Sequence, residues 1–288
     1  MNAEALAAGK AAFAFDRSFK SDMRIYAGFI RNGFLNMLAY RLRYVTGILT
    51  YLLLVSVQFF IWQGVYSDSA AGATIKGYSL SEMITYVAIG WIARSFYHSN
   101  IDYDIADLVR TGQISIYLIR PVNFQLMLIF NSMGESLFRI ACFSWPIALT
   151  ILLVFPVQLP AGLLAFFMFC FSTLVGFIVL AQFNFLIGMA AFPLKSIQGI
   201  MRAKYFIIQL LSGLLLPLTF FPDWFRSALE VLPFKLISYI PLQFYLGKVD
   251  SSQIAGIVLT QVAWIAVLWF AGRYFWMRAF SRLTLQGG

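Results

Sequence analysis

The chain alternates between long apolar runs and short basic or proline-rich stretches, and six of the runs are long enough to cross about 30 Å of hydrocarbon. They fall at 44–66, 80–98, 124–155, 161–192, 205–221 and 254–277. The third and fourth exceed what a simple crossing needs, which predicts tilt or projection beyond the bilayer. Ahead of the first run the pattern changes. At about 100° per residue, Met23, Tyr26, Ile30, Phe34 and Met37 share one arc, and Arg24, Arg31 and Asn32 another. Residues 20–43 therefore predict an amphipathic helix lying on the cytoplasmic leaflet, because arginines interrupt the segment too often for a crossing. A basic linker feeding the first span is the plainer alternative. Residues 1–19 are Ala-rich, with no continuous apolar core followed by a cleavage site, and predict a loose tail and no signal peptide. Residues 44–282 hold the six spans, and residues 283–288 predict a second short tail. The expected fold class is all-α integral membrane.

Composition agrees and removes other classes. With 61% apolar residues, 11% charged and a mean hydropathy of +0.79, a soluble enzyme, a disordered chain and a secreted disulfide scaffold are excluded. Cys142 and Cys170 both lie inside apolar runs, where packed thiols are expected. Lys and Arg then set the orientation. Seven precede the first span, two separate spans two and three, three separate spans four and five, and three lie in the last turns of span six or beyond it, giving fifteen on one side. The other side holds four, Lys76, Arg226, Lys235 and Lys248, while Arg94 and Arg139 lie within or at the edge of spans. By the positive-inside rule both termini are cytoplasmic. The net charge of +9 is spread over every cytoplasmic segment, which fits contact with anionic membrane lipid and leaves no nucleic-acid footprint.

Catalytic raw material is scarce. No Gly-rich loop ends in Gly-Lys-Ser/Thr, so the chain cannot cradle ATP itself. His98 is the only histidine, which removes histidine-based metal sites and a conventional triad, and its place at the end of span two reads as an interfacial polar residue. The acid and base well inside a run are Glu135 and Arg139, four apart on one helix face where they can neutralise each other. A coupling or substrate role for the pair is the alternative.

Two polar stretches carry more. In residues 100–123, Asp102, Asp104 and Asp107 precede Arg110, with Ile105, Leu108 and Val109 as apolar positions, so a short helix with an acidic start and basic end is predicted. Gly112 stops it, and Pro121 marks the approach to span three. Residues 102–114, ending at Ile114, are suited to dock in a groove of a partner, the plain alternative being a connector. Between spans five and six, residues 221–254 are too broken for a crossing and too apolar for a solvated loop, which predicts two short helices dipping back into the outer leaflet. Pro217, Phe220, Phe221, Pro222, Trp224, Phe225, Pro233, Tyr239 and Tyr245 are the residues of an external gate or of an interfacial aromatic belt.

These stretches also carry a resemblance. The run RTGQISIYLIRPVNFQL, with Arg110, Gly112, Leu118, Arg120 and Pro121, resembles the segment after span two in ABC-2 type exporter permeases of bacteria. SGLLLPLTFFPDWFRSALEVLPF, with Gly213, Pro217, Pro222, Trp224 and Pro233, is similar to the end of span five and the following re-entrant segment there. The resemblance extends over about residues 23–282. It implies a dimer of six-span subunits, with an identical or paralogous second permease, served by two separate ABC ATPase subunits that hold the ATP and Mg. No cofactor is expected on this chain. The resulting expectation is a non-enzymatic permease subunit of an ATP-driven exporter in a bacterial inner membrane. With 30 Phe and few internal charges, the expected substrate is hydrophobic or amphipathic. Two alternatives are an ion-gradient carrier and a membrane-embedded lipid enzyme, though the latter lacks clustered catalytic groups.

Overall fold

A computed structural model describes residues 19–39, 42–70, 72–118, 120, 122–194 and 197–280. Pro121, Lys195 and both expected tails, apart from Phe19 of the first, lie outside the described residues. Among those described, every regular element is helical, and the only extended pairing is an isolated bridge between Ile75 and Tyr78.

Among the described residues, four stretches are long and apolar enough to cross a membrane: Leu49–Tyr66 within α2 (Leu42–Tyr66), Phe124–Val154, Leu163–Met189 (α8), and Ser251–Ala279 within α12 (Ser251–Phe280). Their surfaces are apolar too, with Leu53, Phe60, Leu153, Leu163 and Phe270 each more than 60% exposed, a surface that water would not tolerate and lipid would. The Phe124–Val154 stretch joins α6 (Phe124–Arg139) to α7 (Trp145–Val154) through a π-helical turn, Ile140–Ser144, just before Pro146. A proline lacks the N–H that the ladder needs, and a π turn is one way a continuous helix absorbs that fault.

The second and fifth apolar runs give different helices. α3 (Leu80–Tyr97) starts on a capping box in which Ser79 and Glu82 satisfy each other's backbone amides, and it carries Arg94 near its end. α9 (Gln198–Leu211) spans only 14 residues and starts earlier and stops well before the expected 205–221. The reason is local. Gly213 adopts a left-handed φ of +81°, and an added Cβ would press on Leu218 and Tyr239, so the helix ends there and Pro217 redirects the chain. Tyr86 donates to the Gly213 carbonyl and the Tyr239 amide to the Ser212 carbonyl, pinning the break to α3 and to the later segment.

Beyond the break the chain is subdivided by proline. Pro217 precedes a 3-10 turn (Leu218–Phe220), Pro222 precedes α10 (Asp223–Val231), and Pro233 opens another 3-10 turn (Pro233–Leu236) before α11 (Tyr239–Tyr245). Each proline pre-sets φ for a turn start and needs no donor there.

α1 (Phe19–Ala39) forms where the arc was expected, but its apolar face meets protein. Tyr26 stacks near Phe130 at 4.9 Å and Phe34 meets Phe138 at 5.2 Å, while the Ile30 carbonyl lies against Gly134. These partners advance together, so α1 and α6 run in the same direction. Gly33 and Gly134 bring the backbones into contact, because a Cβ on either would collide with the facing carbonyl. The two cysteines are corrected as well. Cys142 and Cys170 are exposed on helix surfaces, since both sit on faces turned away from the bundle.

α8 forms the centre, with α4 (Ile101–Arg110) across one end, α12 alongside and α11 toward the other end. One core cluster gathers Tyr78, Tyr86 and Leu214 at the α11 end; a second gathers Tyr97, Ile101, Ile105 and Phe185 beneath α4.

Candidate functional site

α4 is strongly two-faced, and its two faces have different fates. Ile101, Asp102 and Ile105 are fully buried, whereas Asp107 and Arg110 are exposed and paired at 2.6 Å. Gly112 closes the helix at φ +73°, exposed, with open space around the position of a Cβ. Ile114, opening the short α5 (Ile114–Leu118), is buried. The residues expected to dock on a partner therefore divide: Asp107, Arg110 and Gly112 lie on the outside, Asp102 and Ile114 within.

Asp102 anchors the helix. Lys204 Nζ on α9 lies 2.6 Å from Asp102 Oδ2 and 2.8 Å from Asn184 Oδ1 on α8. Asn184 in turn donates through Nδ2 to the Ser99 carbonyl at 2.8 Å, and Ser132 on α6 donates to Ser99 Oγ at 3.2 Å. Burial pushes the Asp102 carboxyl up and the Lys204 ammonium pulls it back. Beside this network α4 rests on a glycine: a Cβ on Gly188 would meet Ile105 Cδ1 at 2.6 Å and the Asp102 Cα at 3.3 Å. Three helices, α6, α8 and α9, thus grip the first turn of α4 and the residues just before it. Lys204, Asn184, Ser99 and Gly188 escaped the sequence reading. The available signal was Asn184 inside a 27-residue apolar helix, a polar group that needs a partner at that depth.

Arg139 and Glu135 form a second group on α6. Arg139 Nη2 lies 3.1 Å from Glu135 Oε2, and its other amino group donates to the His98 carbonyl at the junction of α3 and α4. Both side chains, with His98, Tyr51 and Asp104, line a cavity of about 420 Å³ that opens beside α1 and α2. The Arg94 guanidinium sits 5.0 Å from the Tyr205 ring and 5.6 Å from that of Trp91, a cation–π setting that compensates a buried charge.

Asp104 lines this cavity with an accessible side chain yet is crowded by protein, and burial, then Glu135, Asp102 and Asp107, push its carboxyl up to about 7. An acid raised in this way supports the folded state fully below its unfolded value of about 3.9 and loses that support as pH climbs through the folded value. Asp104→Asn is expected to flatten the melting-temperature profile between about pH 4 and about pH 8, with the gain over the parent at the alkaline end. An unchanged slope would assign the pH dependence to other groups.

The aromatic and proline residues at the other end do not converge. Phe220 turns inward to Trp62 at 5.2 Å and Tyr78 at 6.3 Å. Phe221 and Trp224 instead gather on Phe225, each at 5.3 Å, with Trp224 75% exposed. Pro217 is buried, while Pro222 is exposed at the start of α10 and Pro233 is buried at the turn before α11.

Long apolar helices with lipid-compatible surfaces and a charged helix clamped across one end define a multi-pass membrane protein. Residues 52–287 match the family described as ABC-2 family transporter protein, and the chain belongs to that family. It is a membrane permease, and permeases of this kind generally work with ABC ATPase partners. No curated protein matches the chain.

Proposed function

We propose that the chain is a six-span permease subunit of an ATP-driven exporter in a bacterial inner membrane, with both termini cytoplasmic and a second permease beside it. In this reading α3 and α9 complete the six crossings, the latter together with residues 212–221, and the broken segment that follows dips into the outer leaflet. ATP and Mg belong to separate ATPase subunits. The exposed edge of α4, Asp107 to Gly112, takes their push. The cargo is hydrophobic or amphipathic, because the bundle offers few internal charges to solvate a bare ion.

The observation that carries this reading is the construction of α4. A mere connector has no need of a buried acid held by a lysine from one helix, with that lysine bound in turn to an asparagine from another that also holds the Ser99 carbonyl just ahead of α4. A helix that must move α8 and α9 without slipping does. Asp102, Lys204 and Asn184 make α4 rigid with those helices, Arg139 ties the preceding turn to α6, and α6 carries α1.

The test is Gly112→Pro and Arg110→Glu in membranes that contain the partner ATPase. Both are expected to insert normally while losing ATPase association and export, with about 1–3 kcal/mol removed from the contact by the charge reversal. Intact association and export in both would reduce α4 to a connector. A second reading, ion-gradient transport, draws on the Asp104, Glu135 and Arg139 cavity. It predicts transport that stops with an uncoupler and survives ATP depletion.

A further inference from the structure

At the end of the bundle remote from α4, a second cavity of about 570 Å³ lies between the broken segment and the first turns of α12. Its charge is lopsided. Arg226, Lys235 and Lys248 line it against a single acid, Glu230. Glu230 is already engaged by Arg226 Nε at 2.9 Å, and Lys248 by Glu82 at 2.7 Å and by the Gly77 carbonyl at 2.8 Å. No ion pair joins Lys235 among the described residues, although it is half-buried. Burial pushes its ammonium below the ordinary lysine range against the attraction of Glu230, so a positive charge stands there without the anion that would settle it.

The rest of the lining is mixed, with Leu236, Ile240 and Ile257 among its apolar residues and Gln243, Gln253 and Thr260 polar. Leu236 and Ile240 form a buried floor, and Ile257 continues it along α12. The α12 wall runs from Gln253 to Thr260, about 10 Å of helix, with Gly256 at its middle. A Cβ on Gly256 would meet nothing within 4 Å, so the position faces open space into which a larger side chain would project. Just beyond, Leu259 and Val262 are exposed on the face that lipid covers. A cationic mouth and a partly apolar trough occur together at this cavity.

We propose that this cavity is a binding site for an anionic amphipath, whose phosphate, sulfate or carboxylate head meets Lys235 and the free face of the Arg226 guanidinium while its chain lies along α12 over Gly256. The site deepens the exporter reading, on which its outer-leaflet position rests, but its chemistry does not depend on an ATPase. Two sources share that chemistry: a resident anionic lipid and the exported cargo.

The experiment uses the full chain, purified without any ATPase, in nanodiscs of mixed phosphatidylglycerol and phosphatidylcholine, with retained lipid counted by native mass spectrometry. Retention of phosphatidylglycerol over phosphatidylcholine is expected, falling at least tenfold in Lys235→Gln and in Gly256→Leu. Lys76→Gln, which removes a charge from the same end of the bundle outside the cavity, should retain it. Dodecyl phosphate should displace the retained lipid and inorganic phosphate should not. In the complete transporter, stimulation of ATP turnover by dodecyl phosphate that is lost in Lys235→Gln would assign the site to cargo; retention without stimulation would assign it to a resident lipid. Unchanged retention in both cavity variants, or displacement by inorganic phosphate alone, would overturn the proposal. Lipid retention by the purified chain, together with the absence of any ATPase partner for it in cell membranes, would sink the exporter reading and leave the site standing.

Discussion

Lys204→Met is expected to release α4 from the bundle, and it should be among the most damaging single substitutions outside the apolar core. Lys204 is 10% exposed and Asp102 0%, so the change leaves a carboxylate in protein with no counter-charge. Removing one partner of such a pair costs about 3–5 kcal/mol. The loss falls first on α4, whose backbone amides should exchange with solvent about two to three orders of magnitude faster while those of α8 keep most of their protection. Asp102→Asn alone should be damaging for the mirrored reason. The double variant, Asp102→Asn with Lys204→Met, should recover part of the loss because neither charge is then left unpaired. Hydrogen exchange and melting that match the parent in the Lys204→Met protein would mean that the bridge does not hold the helix.

Gly134→Leu is expected to detach α1 from α6. The facing group is the Ile30 backbone carbonyl, which cannot swing aside as a flexible side chain would, so the helices must separate. Overpacking of this kind costs about 1–3 kcal/mol, and here it also forfeits the Tyr26–Phe130 and Phe34–Phe138 contacts. Cross-linking of Tyr26→Cys to Phe130→Cys by a short bis-maleimide should be efficient with Gly134 in place and fall to background with Gly134→Leu. Gly28→Leu, on α1 with nothing near the added Cβ, serves as the control and should leave the cross-link intact. Equal cross-linking in all three would show that α1 does not dock through the glycine contact.

How much of this was readable follows from the kind of signal each feature leaves. Long apolar runs announce themselves, and the helices at Leu42–Tyr66, Leu163–Met189 and Ser251–Phe280 stand close to where hydropathy puts them. The arc on α1 was legible, but apolar periodicity says only that a face is covered, not whether lipid or α6 covers it. Gly33 and Gly134 held the missing information, which needs both helices at once. The end of α9 was misjudged because Leu214, Leu215 and Leu216 keep hydropathy high straight through a break dictated by Gly213 and Pro217. Turn chemistry outranks composition there.

The α4 site was half legible. Its charges and its Gly112 terminus were visible, and the helical wheel already separates Asp107 and Arg110 from the Ile101, Ile105, Leu108 arc. Asp102 sits on the flank of that arc, where sequence cannot say whether a carboxylate reaches solvent or a partner. Its partner is more than a hundred positions away, at the junction of a basic stretch and an apolar run, where Lys204 is as readily counted a topology marker as a buried ligand of Asp102.

The coupling role of α4 reduces to one measurement, a photo-cross-linking amino acid installed at Arg110 in otherwise intact cell membranes. Arg110 is exposed, its pairing with Asp107 is a weak surface contact, and its replacement should not disturb the buried anchors. The predicted result is a cross-link to a polypeptide bearing a Gly-rich phosphate loop that ends in Gly-Lys-Ser/Thr, with a yield that changes when ATP is depleted. Absence of any such ATPase from the cross-linked products, while transport continues without ATP and stops with an uncoupler, would contradict it.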